Sequence, residues 1–210
     1  HPCLLAALAQ QCISSGGIAD AMFLSDPVEM TVPLQLEIAE AAKLIENVQR
    51  DIDIAFTNEL ARILPKMGLD VEEVLDAAST KWNFHRHTPG IGVGGHCIPV
   101  DPFILAWRAK EFDVPAKFIE LSGEINDQMP KYVVEKCVSI LNANNKKVKN
   151  SKVIILGVTY KKNSADLRES PSIKIIKLLL EMKAKISLSD KFLPKYLKIK
   201  EKKLLNLKFT

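Results

Sequence analysis

Residues able to do chemistry gather in one stretch, Pro89-Gly90-Ile91-Gly92-Val93-Gly94-Gly95-His96-Cys97-Ile98-Pro99-Val100-Asp101-Pro102, which holds four of the nine glycines of this 210-residue chain. Glycine admits backbone conformations closed to other residues and lets a chain come close to a ligand, and the flanking prolines keep helix and strand out of the segment. Cys97 is therefore offered from a loop. Its thiol can act as a nucleophile, as a metal ligand, or as a small apolar group packed inside. His85, His87 and His96 lie within the same neighbourhood and raise a zinc reading with Cys97. Their spacing matches no compact ligand set, so no metal is expected.

Two further groups are placed by the elements that carry them. From Gln35 onward, Ile38, Ala41, Ile45, Val48, Ile52 and Ala55 recur at three and four, and the pattern continues to Ile63. This predicts one long amphipathic helix, stopped by Pro65 and Gly68. Lys43 and Asn47, four apart, share a face opposite the apolar stripe, which by itself reads as a solvated polar side. The second group lies after Lys152-Val153-Ile154-Ile155-Leu156-Gly157, an apolar run of the kind a buried parallel strand shows. It comprises Tyr160-Lys161-Lys162 and then Asp166-Leu167-Arg168-Glu169-Ser170-Pro171. A helix through Ile173, Ile176 and Leu180 and a second strand over residues 185–190 complete a βαβ unit. Lys161 and Arg168 then sit beyond the carboxyl ends of the strands, where such sheets bind ligands.

Between these groups the chain reads as helix. Asp70 is positioned to cap a helix over residues 71–78, with Glu72 and Glu73 in its first turn. Asp101-Pro102 reads as an N-cap followed by proline at the first helical position, opening a short helix to about Phe112. A longer helix is expected from about Ala116 to Asn142, with Ile119, Ile125, Met129, Val133, Val134, Cys137 and Ile140 inward. The polar run Asn142 to Lys147 marks a boundary, and beyond Phe192 the pattern dissolves into lysines with no further strand expected.

The composition, 47% hydrophobic and 26% charged, is that of globular protein. Four irregularly spaced cysteines resemble neither a disulfide framework nor a zinc ribbon, which suits a reducing, cytoplasmic setting. No apolar run is long enough to span a membrane. The net charge of +4 owes much to the lysine-rich end, which lacks the interleaved aromatics of a nucleic-acid surface, so neither membrane nor nucleic acid is expected as a partner. Residues 1–33 are poorly patterned, with a turn expected at Ser14 to Gly17 and interruptions at Asp26-Pro27 and Pro33.

Taken together, these residues resemble the UDP-glucose/GDP-mannose dehydrogenase family, in its UDP-N-acetylhexosamine branch. The likeness rests on Ala39-Glu40-Ala41-Ala42-Lys43-Leu44-Ile45-Glu46-Asn47 followed by Asn58-Glu59-Leu60, on the loop from Gly92 to Asp101, and on Tyr160-Lys161 with Asp166 to Pro171. It covers about residues 35–192, with the three motifs in the family's order. The resemblance implies an α/β architecture: a mainly helical central dimerisation domain over residues 34–149, then a partial Rossmann-like βαβ domain that binds UDP over residues 150–210. Residues 1–33 are expected to be a remnant of an N-terminal NAD-binding domain, with Gly16-Gly17-Ile18 near its last strand. The Gly-x-Gly-x-x-Gly spacing of such a domain occurs at Gly90 to Gly95, but in the cysteine loop rather than between a strand and a helix, so it is not read as that domain's dinucleotide fingerprint.

The resemblance further implies oxidation of the C6 alcohol of a UDP-sugar to a carboxylate, with NAD as hydride acceptor and a cysteine thioester on the way. The sugar is N-acetylmannosamine, N-acetylglucosamine or glucose, with His96 and Lys81-Trp82-Asn83-Phe84 favouring the N-acetylhexosamines. By motif match, Cys97 is the nucleophile, Lys43 and Asn47 steady negative charge on oxygen, and Asp101 positions or activates water. Gly92, Gly94 and Lys161 are implied in substrate binding and Arg168 in cofactor binding. Lys43 and the amides opening the helix after Cys97 are expected to favour its thiolate. A homodimer or larger oligomer through the central helix is expected, and activity of this chain alone is not; a separate chain carrying the NAD domain is a possible partner. The alternatives are a non-catalytic helical dimerisation module and a metal-binding protein using His85, His87, His96 and Cys97.

Overall fold

The computed structural model describes residues 36–199 and 201–207. The features expected over residues 1–33, including the NAD-domain remnant, lie outside the described residues. The chain forms two compact units, residues 1–46 and 47–210. Of the first, the described part is the opening of helix α1.

Helix α1 is Leu36–Ile63, followed by a 3-10 turn, Leu64–Met67, in which Pro65 is tolerated because an opening turn leaves its N–H unneeded. Gly68 ends the run at φ 76°, a left-handed position that suits glycine. Helix α2, Val71–Ala78, starts as expected, with Asp70 Oδ1 accepting from the amides of Glu72 at 2.9 Å and Glu73 at 3.1 Å. The glycine loop leads into α3, Asp101–Lys110, and then α4, Lys117–Ala143. Strand β1, Lys152–Leu156, helix α5, Pro171–Glu181, and strand β2, Lys185–Ser189, form the βαβ unit. The strands are parallel, registered from Lys152 with Lys185 to Leu156 with Ser189.

The main apolar core belongs to this βαβ half. Val158, Ile176, Leu179 and Leu188 are buried there and Val134 of α4 joins them. Expected interior positions differ in four places. Ile38 and Ile45, placed on the buried stripe of α1, are 52% and 57% exposed, whereas its buried residues include Asn47, Asp51, Thr57 and Asn58 beside Val48 and Ala55. Helical periodicity was present, but the face turned inward carries amides and a carboxyl. Ile140 of α4 is exposed rather than inward, and Cys137 is only half-buried. Strand β1 alternates instead of being buried on both sides: Val153 and Ile155 pack on the core while Ile154 and Leu156 are exposed. Among the described residues it pairs with β2 alone, which leaves one edge unpaired, and the face that carries Ile154 and Leu156 is exposed.

The lysine-rich end is folded, contrary to expectation. Strands β3, Tyr196–Ile199, and β4, Lys202–Leu205, form an antiparallel hairpin. Leu197, Ile199 and Leu204 turn toward the core while Lys198 and Lys203 face out, so charge masked a period-two pattern. Asn206 fastens the hairpin, its Oδ1 accepting from the Asp190 amide at 2.9 Å and its Nδ2 donating to the Asp190 carbonyl at 2.8 Å. Among the described residues no helix is long and apolar enough to cross a membrane.

Asp190, at the end of β2, closes the turn after β1. Its Oδ2 accepts from the amides of Val158 at 2.9 Å and Thr159 at 3.3 Å, and its Oδ1 from the Phe192 amide at 2.9 Å. Burial alone pushes this carboxyl up, but the hydrogen bonds win and its pKa lies below the ordinary 3.8. A depressed folded-state pKa gives stability that is present above the unfolded value and lost as pH falls through the folded one. Asp190→Asn is expected to cost about 2 kcal/mol in urea unfolding at pH 7. The difference from the unsubstituted chain should shrink below pH 4, and a pH-independent difference would contradict this role.

Candidate active site around the glycine loop

Asp101 is the first residue of α3, and Val100 is the N-cap, so the expected cap is corrected. The Asp101 carboxylate is turned instead toward α1, where Asn47 Nδ2 donates to its Oδ2 at 2.6 Å. Asn47 is 4% exposed, which corrects the solvated reading of its face. An amide that donates to a carboxylate fixes the orientation of that group. Lys43, in the first unit, is paired with Glu46 Oε2 at 3.1 Å.

Cys97 is half-buried and reduced. Its carbonyl accepts from the amides of Val100 at 3.0 Å and Asp101 at 2.8 Å, while the amides of Phe103 and Ile104 go to the Val100 carbonyl. The opening amides of α3 are thus bonded within the turn, so they are not directed at the sulfur. Positive charge near the thiol comes from Arg168, whose guanidinium is held in its charged form first by hydrogen bonds to Asp166 and, among smaller effects, by the Cys97 charge. Arg168 grips Asp166 with Nε at 2.9 Å and Nη2 at 2.6 Å from Oδ2, and the same bonds hold the Asp166 carboxyl below its ordinary value.

A cleft of about 340 Å³ opens beside the sulfur-bearing loop, lined by Gly95, His96, Pro99, Asp127, Arg168 and Lys174 among others. Lys174 Nζ of α5 bonds Asp127 Oδ1 of α4 at 2.8 Å along this rim. Lys161 is exposed in the turn after β1. His85, His87, His96 and Cys97 are not gathered into a metal site: among the described residues no group of three or more ligating side chains comes together.

Gly92, Gly94 and Gly95 are required by close protein neighbours. A Cβ on Gly94 would stand 2.7 Å from Tyr160 Cβ and 3.0 Å from both the Glu169 carbonyl and Pro171 Cδ. Gly95 adopts φ 92°, lies against the Tyr160 ring, and donates its amide to the Arg168 carbonyl at 3.0 Å. Gly92, at φ 116°, abuts the Asn126 carbonyl, whose helical partner four residues on is Pro130, which has no N–H. The loop is therefore closed against both α4 and the segment from Tyr160 to Pro171.

At its start the loop is held by a buried polar chain that sequence reasoning did not identify. The Gly90 amide donates to Asn58 Oδ1 at 2.8 Å, and Asn58 Nδ2 donates to Asn126 Oδ1 at 2.9 Å. Asn126 Nδ2 in turn reaches the Asp51 carbonyl at 3.0 Å and Asp51 Oδ1 at 2.7 Å. Asn58 lies in the Asn58-Glu59-Leu60 motif, which by itself assigns it no role. Asp51 carried one usable signal, its spacing of four from Asn47 on α1, and Ser122 and Asn126 are likewise four apart on α4.

Comparison with known proteins places these features. The UDP-glucose/GDP-mannose dehydrogenase family's central domain matches residues 37–128, and its UDP-binding domain matches residues 154–209. The chain belongs to this family. The second match runs through the β3–β4 hairpin and so overturns the expectation that the lysine-rich end departs from the family pattern. A UDP-N-acetyl-D-glucosamine 6-dehydrogenase of Pseudomonas aeruginosa is 42% identical over 155 residues, covering 74% of this chain and 36% of the relative. A UDP-N-acetyl-D-mannosamine dehydrogenase of Methanococcus maripaludis is 43% identical over 153 residues, covering 72% and 34%. The solved UDP-D-ManNAc dehydrogenase of Pyrococcus horikoshii superposes with a TM-score of 0.70 at 35% identity, covering 74% of this chain and 37% of that one. The chain thus spans roughly a third of the length of these relatives.

Gly94→Ala is the sharpest probe of the closed loop, since backbone and a proline ring cannot yield as a flexible side chain does. It is expected to cost about 2 to 3 kcal/mol in denaturant unfolding. Gly68→Ala, where no atom lies within 4 Å and only the positive φ opposes a side chain, should cost about 1 kcal/mol. Equal costs would mean that the loop is not packed against Tyr160 and Pro171.

Proposed function

We propose that this chain carries the sugar-side chemistry of a nucleotide-sugar 6-dehydrogenase, oxidising a UDP-linked N-acetylhexosamine at C6. The observation that carries the reading is the convergence of Cys97, the Asn47-held Asp101 and the Arg168 loop on one closed glycine segment, in a member of this family. The P. aeruginosa and M. maripaludis relatives, named for UDP-N-acetylglucosamine and UDP-N-acetylmannosamine, support an N-acetylhexosamine over glucose.

In this reading the Cys97 thiolate adds to the carbonyl carbon of the C6 aldehyde, forming a C–S bond while oxygen takes the electron pair and then a proton. After oxidation to the thioester, water adds at the acyl carbon and the thiolate leaves, releasing the carboxylate. Asp101, oriented by Asn47, accepts a proton from that water. By the family resemblance, Lys43 is the cation for the developing oxyanion. Lys161 and the loop around Gly92 and Gly94 contact the nucleotide sugar.

NAD is the hydride acceptor that the family resemblance implies. The described residues do not fit it: the turn after β1 holds one glycine, and its Val158 and Thr159 amides are occupied by Asp190 rather than open to a pyrophosphate. No hydride step is therefore placed on this chain's residues. Arg168, implied as a cofactor contact, is read instead as a charge beside the cysteine.

The reactivity of the four cysteines tests the sulfur assignment. Near neutral pH an alkylating reagent should modify Cys97 before Cys137, and saturating UDP-N-acetylglucosamine should slow only Cys97, as read by peptide mapping. Arg168→Gln should slow that reaction by roughly threefold, a modest factor because the guanidinium is solvent-screened. Equal rates at Cys97 and Cys137, or no protection by the nucleotide sugar, would contradict the reading. The exposed Ile38 and Ile45, which share one face of α1, support the homodimer implied for the central helix. Sedimentation velocity is expected to give a two-chain species, and a folded monomer at micromolar concentration would contradict it.

A further inference from the structure

Asp51 is 1% exposed, and the charged group acting on it from the facing helix is Asp127, of like sign. Hydrogen counting around it gives a definite answer. The Asp51 backbone carbonyl can only accept, so Asn126 must present its Nδ2 there, and the second Nδ2 hydrogen goes to Asp51 Oδ1. At the far end the Gly90 amide can only donate, so Asn58 must present its Oδ1 to the loop. Both carboxamides are thereby fixed in direction, and the bond between them, Asn58 Nδ2 to Asn126 Oδ1, has donor and acceptor in the right places.

Ser122 supplies the deciding observation. Its Oγ is 2.8 Å from Asp51 Oδ2 and also 2.8 Å from the Ile119 carbonyl. A hydroxyl carries one hydrogen, and a peptide carbonyl and a carboxylate are both acceptors only. With Asp51 ionised, one of these two oxygen pairs has no proton between its members. With Asp51 protonated, its Oδ2–H donates to Ser122 Oγ, the Ser122 hydrogen donates to Ile119, and every hydrogen is used once.

We propose that Asp51 is held as a neutral carboxylic acid and is a positioning residue for the glycine loop, anchoring a directed hydrogen-bond chain from Asp51 through Asn126 and Asn58 to the Gly90 amide. The group's environment agrees. Burial, ahead of every other influence, pushes its pKa up, Asp127 adds to this, and the hydrogen bonds from Ser122 and Asn126 offset only part. Asp127 is itself paired with Lys174 of α5, which directs that lysine's charge to Asp127. The inference concerns how the loop is held and stands whether or not the oxidoreductase reading does.

Asparagine is the neutral mimic: at position 51 its Nδ2 can donate to Ser122 while its Oδ1 accepts from Asn126. A carboxyl whose folded-state pKa is raised must take up a proton on folding above its unfolded value. Wild type should therefore lose stability relative to Asp51→Asn as pH rises from the ordinary aspartate range toward the folded pKa. Three readouts test this on the intact chain. In carboxyl carbon-13 spectra, the resonance absent from Asp51→Asn should be that of a protonated acid at pH 7. The Gly90 amide should exchange hydrogen within threefold of wild type in Asp51→Asn and at least tenfold faster in Asp51→Leu, which keeps the branching and heavy-atom count but removes the bonding atoms. Should Asp51→Leu not fold, the carboxyl spectrum and Asp51→Asn decide. An ionised Asp51 at pH 7, or an Asp51→Asn chain that exchanges Gly90 as fast as Asp51→Leu or is less stable than wild type at every pH, would overturn the proposal.

Discussion

The hydrogen bond from the Gly90 amide to the Asn58 carboxamide is the point at which the helical framework takes hold of the glycine loop, and much of the site follows from it. A loop with four glycines in six residues has high conformational entropy, so its closed form requires fixed attachments. Gly90 is fixed to α1, Gly92 is pressed on the Asn126 carbonyl that Pro130 leaves without a helical donor, and Gly95 is fixed to Arg168. Cys97 follows two residues after the last of these attachments, and its own carbonyl begins the turn into α3. Cys97 is thus located by bonds before and after it, with the Arg168 charge acting near its sulfur.

This arrangement explains why the inward face of α1 is polar. An apolar interior between α1 and α4 would pack without direction, whereas amides and a carboxyl must be matched donor to acceptor. A mismatch in such a network is costly, which is what gives the loop one attachment geometry rather than several. The βαβ half is held differently, by apolar burial around α5 and by Asp190 closing the turn after β1. The family's two matched domains therefore use different physical means, and the loop from Gly92 to Pro102 joins them through contacts with Tyr160 and Pro171.

How far the sequence was legible follows from the same physics. The boundaries of α1, the Asp70 cap and the βαβ order were readable, because caps, prolines and runs of β-branched residues act locally. The buried face of α1 was misread because periodicity was sought in apolar residues, while Asn47, Asp51 and Asn58 repeat at four and seven along the same helix. Asp101 was misread because Asp-Pro is an equally good signal for an N-cap and for a first helical residue whose carboxylate is needed elsewhere. Only the position of Asn47 distinguishes them. The hairpin from Tyr196 was hidden by lysines that stand on its outer face. Ile38 and Ile45 were assigned inward by a rule that cannot tell a core from a surface awaiting a partner.

The account's central claim is that Cys97 is the nucleophile toward a C6 aldehyde, and adding that aldehyde directly needs no oxidant. UDP-N-acetylglucosamine bearing a carbon-13-labelled aldehyde at C6, mixed with the chain and followed by NMR, reads the addition as it occurs. The account predicts a new resonance from carbon bound to both sulfur and oxygen with the unsubstituted chain, and its absence with Cys97→Ser. Identical spectra for the two chains, with the aldehyde bound in both, would contradict it.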